Sequence, residues 1–330
     1  MDNFCFNCGS LLDKEASFCL KCGTKVNLGK KDMNTLVKLA RKVRAQNDNK
    51  YLSGKPSKRY TGKDNENESD KKAEDKVLII VSKLVADMVN CPSGSFIMGS
   101  KAPLNPKVTT RDGELGRYDD EIQHKVIFTK SFKIGKYPIT QIEYAAVMGK
   151  NPSKFKGVFR PVESVSWYEA KAFCKKLNTK YPEFLPSGYR FDLPTEAQWE
   201  YACRAGTTAS LNNNKDLTTT NGFCENLDEV GWYNKNSNGK THPVGRKRPN
   251  AWGVYDMHGN VWEWCRDYYG DYVETDEKDP LGAFEGSYRV LRGGSWHFKA
   301  LGCRSAIRNR NFPDKKSNRI GFRLAIVPIK

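Results

Sequence analysis

Residues 292–312 read RGGSWHFKALGCRSAIRNRNF. Two kinds of residue alternate there. Gly293, Gly294, Trp296, Arg304, Ser305, Arg308 and Asn309 make a framework, and His297, Phe298, Lys299, Gly302, Ile307 and Phe312 are scattered between them. Apolar side chains on a turn-rich, polar framework either enter the core or stand outward to anchor a partner, because an exposed aromatic without a use is costly. A guanidinium carries a fork of donors and no acceptor. Arg292, Arg304, Arg308 and Arg323 are therefore expected to be buried braces that bond loop carbonyls. Cys303 is expected to be a buried structural residue, since a reactive thiol needs an electropositive, partly open setting.

Working outward, the chain from Met88 on punctuates short strands with turns. SGSFIMGS (93–100) and SFKIGKYPIT (131–140) alternate like strands, while Gly-Ser and Lys-Tyr-Pro break them. TQIEYAAVMG (140–149) opens with a capping box, Thr140 to Glu143, and closes on Gly149. In SVSWYEAKAFCKKLNTKY (164–181), Ser166 and Glu169 make a second box, with Ala170, Phe173, Cys174 and Leu177 on one face. LPTEAQWEYACRAG (193–206) gives a third helix, with Thr195 as N-cap, Gly206 as stop and Cys203 packed inside. Glu196 and Glu200 lie on that helix beside Trp199 and read as surface or packing charges. The C-terminal third is nearly all turns, rich in Trp, Gly, Asn and Arg, and needs many side-chain-to-backbone bonds to stay ordered.

At 330 residues, with 38% hydrophobic residues, seven Trp and fifteen Tyr, the chain can bury a sizeable core. No apolar run approaches the roughly twenty residues a membrane span needs; VLIIVSKLVADMV is broken by Lys83 and Asp87. The start, MDNFCFNCGS, lacks the basic and apolar regions of a signal peptide, so the cytoplasm is the expected location. The net charge of +17 raises nucleic acid as a partner. Between Gly29 and Lys76, however, fourteen basic and eight acidic residues stand among Asn and Ser with few aromatics, the composition of a solvated linker. Leu36, Leu39, Ala40 and Val43 could make a short basic amphipathic helix there, a weaker case for contact with nucleic acid or a membrane surface.

Ahead of the linker, Cys5, Cys8, Cys19 and Cys22 form two CxxC pairs, each followed by a glycine. Two thiolate pairs on tight turns can close a tetrahedron around Zn²⁺, and a unit so poor in apolar residues needs the metal to fold. The expected organisation is a zinc ribbon over 1–28, a basic linker over 29–76 and one larger domain over 77–330. The other cysteines show no metal spacing.

Several further stretches occur in order: GSFIMGS, HKVIFTKSFKIGKYPITQIEYAAVM, RPVESVSWYEAKAFCKKLN, YRFDLPTEAQWEYACRAGT, HPVGRKRPNAWGVYDMHGNVWEWCRD, RVLRGGSW, CRSAIRNRN and IGFRLA. Over about residues 88–328 the chain thereby resembles the formylglycine-generating enzyme (sulfatase-modifying factor) family. The resemblance implies an α+β, C-type-lectin-like fold with little regular secondary structure. Active members oxidise a sulfatase cysteine with a copper-binding pair of cysteines shortly after the motif matching RGGSW; soft thiolates suit Cu(I). Here the matching stretch, HFKALGCRSA, is shorter and holds Cys303 alone. Copper and the oxidase chemistry are not expected. An iron-dependent branch of the family would need clustered His and carboxylate ligands. His124, His242, His258 and His297 show no such spacing.

The family also implies a structural Ca²⁺ at YDMHGNVWEW, which falls here on Asp256, Gly259, Val261 and Glu263, with hydrogen bonding of Glu263 to backbone amides as the equal alternative. Within the fold, the C-terminal motifs also resemble the variable proteins of diversity-generating retroelements, in which template adenines are mutated so that Asn codons become other residues on one displayed face. His297, Phe298, Gly302, Ile307 and Phe312 are all reachable from Asn codons by changing adenines, whereas Lys299 is not. The expected function is thus ligand binding, with a protein or other macromolecule held by His297, Phe298, Lys299, Gly302, Ile307 and Phe312. The alternative is an oxidoreductase of the family with rebuilt chemistry, and a third is a scaffold that docks through the ribbon or linker.

Overall fold

Side-chain caps decide where the helices begin. In the computed structural model, which describes residues 68–102 and 113–329 together with the strands Asn3–Phe4 (β1) and Leu11–Leu12 (β2), the two expected capping boxes form, and the expected N-cap Thr195 makes a third box with Gln198. Thr140, Ser166 and Thr195 each accept from the amide three residues on, whose own side chain bonds back to the cap. The zinc cysteines Cys5, Cys8, Cys19 and Cys22 and the linker helix around Leu36–Val43 lie outside the described residues.

The chain divides into two units, Met1–Ala86 and Asp87–Lys330. In the first, β1 and β2 form an antiparallel pair, and helix α1, Glu68–Ala86, runs across residue 76. No helix among the described residues is long and apolar enough to cross a membrane.

The second unit mixes helix and sheet. Its strands are β3 (Met88–Cys91), β4 (Gly94–Met98), β5 (His124–Phe128), β6 (Phe132–Gly135), β7 (Tyr189–Asp192), β8 (Gly231–Trp232), β9 (His258–Gly259), β10 (Trp262–Tyr268), β11 (Glu277–Lys278), β12 (Arg289–Arg292), β13 (Arg308–Asn311), β14 (Ile320–Gly321) and β15 (Ala325–Pro328). Its helices are α2 (Gln141–Met148), α3 (Trp167–Lys180), α4 (Glu196–Arg204) and α5 (Glu225–Asp228). The strands make sheets in the orders β13-β12-β10-β14, β3-β6-β15-β7 and β11-β5-β4, plus the pair β8-β9.

Helix α4 is buried along its whole length and carries Ala197, Trp199, Ala202 and Cys203 into the main core, beside Phe128, Phe132, Met257 and Cys265. It ends on Ala205 in the left-handed region, one residue earlier than the expected stop at Gly206, which also has positive φ. A second cluster, Leu211, Leu227, Tyr233, Ala300 and Cys303, fills the space under the C-terminal loops. The expected α+β mixture and the short, scattered strands are therefore both present.

Candidate functional site

The stretch 292–312 leaves β12 at Arg292 and returns in β13 at Arg308, so the sheet register sets the two arginines opposite each other. On the other side of β12, Arg292 pairs with Glu263 of β10, and Glu263 with Gly321 of β14. A row of framework residues thus crosses the sheet. The two glycines that start the loop are required: Gly294 has φ +78, and a Cβ there would lie 2.3 Å from the Gly302 carbonyl oxygen and 2.6 Å from Cys303 Sγ.

Each of the four arginines is a buried brace that bonds loop carbonyls, as expected, and each also holds a buried carboxylate. Arg292 donates from Nη1 to the carbonyls of Ala306 (2.8 Å) and Ile307, and from Nη2 to Ser305 (2.9 Å) and to Glu200. Arg308 grips both oxygens of Glu196 at 2.8 and 2.9 Å and bonds the Asp120 and Gly270 carbonyls. Arg304 joins Glu121 at 2.6 and 2.7 Å, Glu114 at 2.7 Å and the Gly116 carbonyl. Arg323 takes both oxygens of Glu263, at 2.6 and 2.8 Å, and the carbonyls of Gly135 and Tyr255. A planar guanidinium does this better than an ammonium because its fork satisfies carboxylate and carbonyls at once.

For Glu196 and Glu200 this decides between the two readings, surface or packing, in favour of packing. They are not surface charges: they are 4% and 0% exposed, and one helical turn apart on α4 they face Arg308 and Arg292. Glu200 also pairs with Arg204 at 2.8 Å and accepts the Gly99 amide at 2.9 Å. Burial raises the Glu196 carboxyl, but the charges of Arg308 and Arg292 outweigh it and hold the pKa below its ordinary value. Glu121 is held low in the same way, with Arg304 outweighing burial.

The thiols are equally withdrawn. All six described cysteines are buried. Burial pushes Cys303 and Cys203 up to about 12, so neither is a thiolate at neutral pH. Cys303 accepts through its carbonyl from His258 Nδ1 at 2.7 Å, and His258 Nε2 accepts the Asn212 amide at 3.0 Å. His258 is a neutral strut, its pKa lowered to about 4 by burial. His242 stacks on Trp232 with centroids 3.8 Å apart and bonds the Ser237 carbonyl. Among the described residues, no group of three or more His, Cys, Asp or Glu could hold a metal ion.

The calcium residues meet other partners. Glu263 gives its oxygens to Arg323 and to Trp199 Nε1 (2.6 Å), and Asp256 accepts the Gly245 amide at 2.7 Å and Asn260 Nδ2 at 3.2 Å. Ca²⁺ wants six or more oxygens free to turn toward it. With both carboxylates so engaged, Asp256, Gly259, Val261 and Glu263 do not fit a calcium cage in this arrangement.

The six scattered residues part company. His297 and Lys299 are exposed, Phe312 is 51% exposed, and Phe298 is half-buried with its ring edge-on to Trp262 at 5.2 Å. Ile307 is 4% exposed and Gly302 is buried, so neither can touch a ligand on a folded surface. Ile307 lies inside because the turn after Arg304 aims it at the core while its carbonyl meets Arg292. Gly302 is covered by Phe298, whose ring would lie 3.0 Å from a Cβ there. The structure adds neighbours that sequence reasoning did not single out. Phe312 packs on Tyr288 at 4.5 Å, and exposed Arg310 sits over the rings of Tyr269 and Tyr288. In RNRN, 308–311, Arg308 and Arg310 share a strand face and both lie over Tyr269, so strand period gives no signal that Arg308 is buried and Arg310 exposed. Slight burial and the charge of Arg319 lower the pKa of His297.

Residues 80–327 match the family of the sulfatase-modifying factor enzyme 1-like domain. The chain belongs to that family. It is 33% identical over 266 residues to the chaperone protein LppX of Paenibacillus barcinonensis, which covers 67% of this chain and 87% of that one. It is 36% identical over 175 residues to the formylglycine-generating enzyme of Streptomyces coelicolor, covering 50% of this chain and 52% of the enzyme. The chain thus spans about half the length of that enzyme. Among solved structures, Treponema denticola variable protein 1 superposes with a TM-score of 0.59 at 31% identity, over 73% of this chain and 95% of that one.

Proposed function

We propose that the second unit is a ligand-binding module of C-type-lectin-like build, displaying His297, Lys299 and Phe312 on a fixed framework, with Phe298 at their margin. The observation that carries this reading is the separation within one stretch: Arg292, Arg304, Ser295 and Ser305 are 0% exposed, while His297, Lys299 and Phe312 stand outside. The likeness to a variable protein of known structure supports it. Phe312 beside Tyr288 and Arg310 has the composition of a protein-binding hot spot, aromatic and guanidinium, so a protein or other macromolecule is the proposed partner. Zinc on Cys5, Cys8, Cys19 and Cys22, and residence in the cytoplasm, belong to the same proposal.

The test is genetic. An imperfect copy of the 3′ end of the gene, beside a reverse-transcriptase gene, should differ at adenines in the codons for His297 and Phe312 and agree at Arg292, Arg304 and Arg308. Absence of any such copy removes diversification as the origin of the face. The oxidoreductase reading rests on the enzyme relatives. It predicts that the purified chain, supplied with copper, oxidises a cysteine-containing peptide in air. The buried thiols of Cys203 and Cys303 predict no turnover.

A further inference from the structure

Away from residues 292–312, a cavity of about 250 Å³ opens where the ends of β5, β7, β10 and β15 meet the loop at Asp279–Leu281. One wall is apolar, built by Leu193, Leu281, Val327 and Ile329, and two of these are left open to water, Leu281 at 41% and Ile329 at 52%. The other wall carries Lys130, Arg190 and Arg266.

The cations outnumber the anions that could neutralise them. Asp192, 2% exposed beneath the pocket, is shared by Lys171, Arg190 at 3.1 Å and Arg266 at 4.0 Å. Asp279 at the rim accepts the Thr129 amide at 3.0 Å and the Thr129 hydroxyl. Among the residues lining the pocket, three cations, Lys130, Arg190 and Arg266, stand against one carboxylate, Asp279, while Asp192 is already shared with Lys171. Arg190 Nε is buried without a hydrogen-bond partner among the described residues, a costly state for a charged donor. Thr195 and Gln198 also line the pocket, but their amides are spent on the α4 capping box, so the unsatisfied donors are side chains.

We propose that this pocket binds a small organic anion with an apolar body, its charged group held by Arg190, Arg266 and Lys130 and its body laid on Leu193, Leu281, Val327 and Ile329. Surplus positive charge on one wall and water-exposed aliphatic surface on the other are satisfied together only by such an amphiphile. An anion without the apolar part, or a neutral molecule without the charge, meets half of the site.

Isothermal titration of the full chain with 4-phenylbutyrate tests it, alongside 4-phenylbutan-1-ol and inorganic phosphate. The expected result is saturable binding of phenylbutyrate, at least about tenfold tighter than either comparison ligand, with Arg266→Gln and Lys130→Gln each weakening it by about tenfold. Lys130 is exposed and without a described partner, so its variant leaves the fold intact, and Lys175→Gln on the outside of α3 controls for loss of charge alone. No saturable binding, equal binding of the alcohol, equally tight binding of bare phosphate, or unchanged affinity in both pocket variants overturns the proposal.

Discussion

Arg308 and Arg310 are two residues apart on one strand and live in different worlds. Arg308 is buried, with both carboxylate oxygens of Glu196 and two carbonyls in its fork; Arg310 is exposed and rests on the faces of two tyrosines. The same contrast separates Arg292 from His297, and Arg304 from Phe312. Strand alternation does not separate the first pair, because residues two apart share a face and both arginines lie over Tyr269; Arg308 is buried by its grip on Glu196. In the irregular loop no periodicity is available, and the buried ion pairs do the sorting. Each guanidinium pins several carbonyls, which fixes the backbone and leaves His297, Lys299 and Phe312 free of structural duty.

The contrast breaks most sharply at the buried charges. Arg292→Met leaves Glu200 buried with Arg204 as its remaining cation, and removing one partner of a buried pair costs about 3–5 kcal/mol; urea unfolding should show this as a lower midpoint. Next comes Ile307→Ala, at about 2–5 kcal/mol for a buried aliphatic side chain. A loss that small to large places Ile307 with the framework, whereas no loss would return it to the displayed set. Thr195→Ala removes the α4 cap and should cost about 1 kcal/mol.

Acidity sharpens the comparison further. Glu196 is held below its ordinary value in the folded state, so the stability it contributes is complete above about pH 4.5 and drains away as pH falls toward the folded value. The destabilisation caused by Glu196→Gln, measured by thermal unfolding at pH 7, should therefore shrink on acidification, because the wild type is losing the same charge. A penalty that stays constant with pH would mean the carboxylate is not the group that matters. At the small end, His297→Ala, Lys299→Ala and Phe312→Ala should each change stability by no more than about 0.5 kcal/mol, the usual range for surface positions.

Much of this architecture is written locally in the sequence. The three capping boxes are contiguous tetrapeptides, and they mark α2, α3 and α4 correctly. The arginine braces are legible too, because so many donors in a turn-rich segment need carbonyls. Their carboxylate partners are not. Glu200 lies 92 residues from Arg292, Glu196 112 from Arg308 and Glu121 183 from Arg304, and nothing in a local pattern distinguishes a glutamate facing water from one facing a buried guanidinium. The same blindness misplaced Ile307 and Gly302. In a loop without a repeat, whether a residue points in or out is decided by distant packing, here Phe298 over Gly302 and Arg292 under the Ile307 carbonyl. The surplus of cations at the Arg190 pocket is invisible for the same reason, since its walls come from five separated segments.

Saturation substitution of residues 292–312, read out as soluble folded protein, tests the separation of framework from displayed positions most directly. The account predicts that positions 297, 299, 310 and 312 accept nearly any side chain, while 292, 294, 304 and 308 accept almost none. Intolerance at 297, 299 and 312 equal to that at the arginines would contradict it, because those side chains would then be holding the fold rather than standing free to meet a partner.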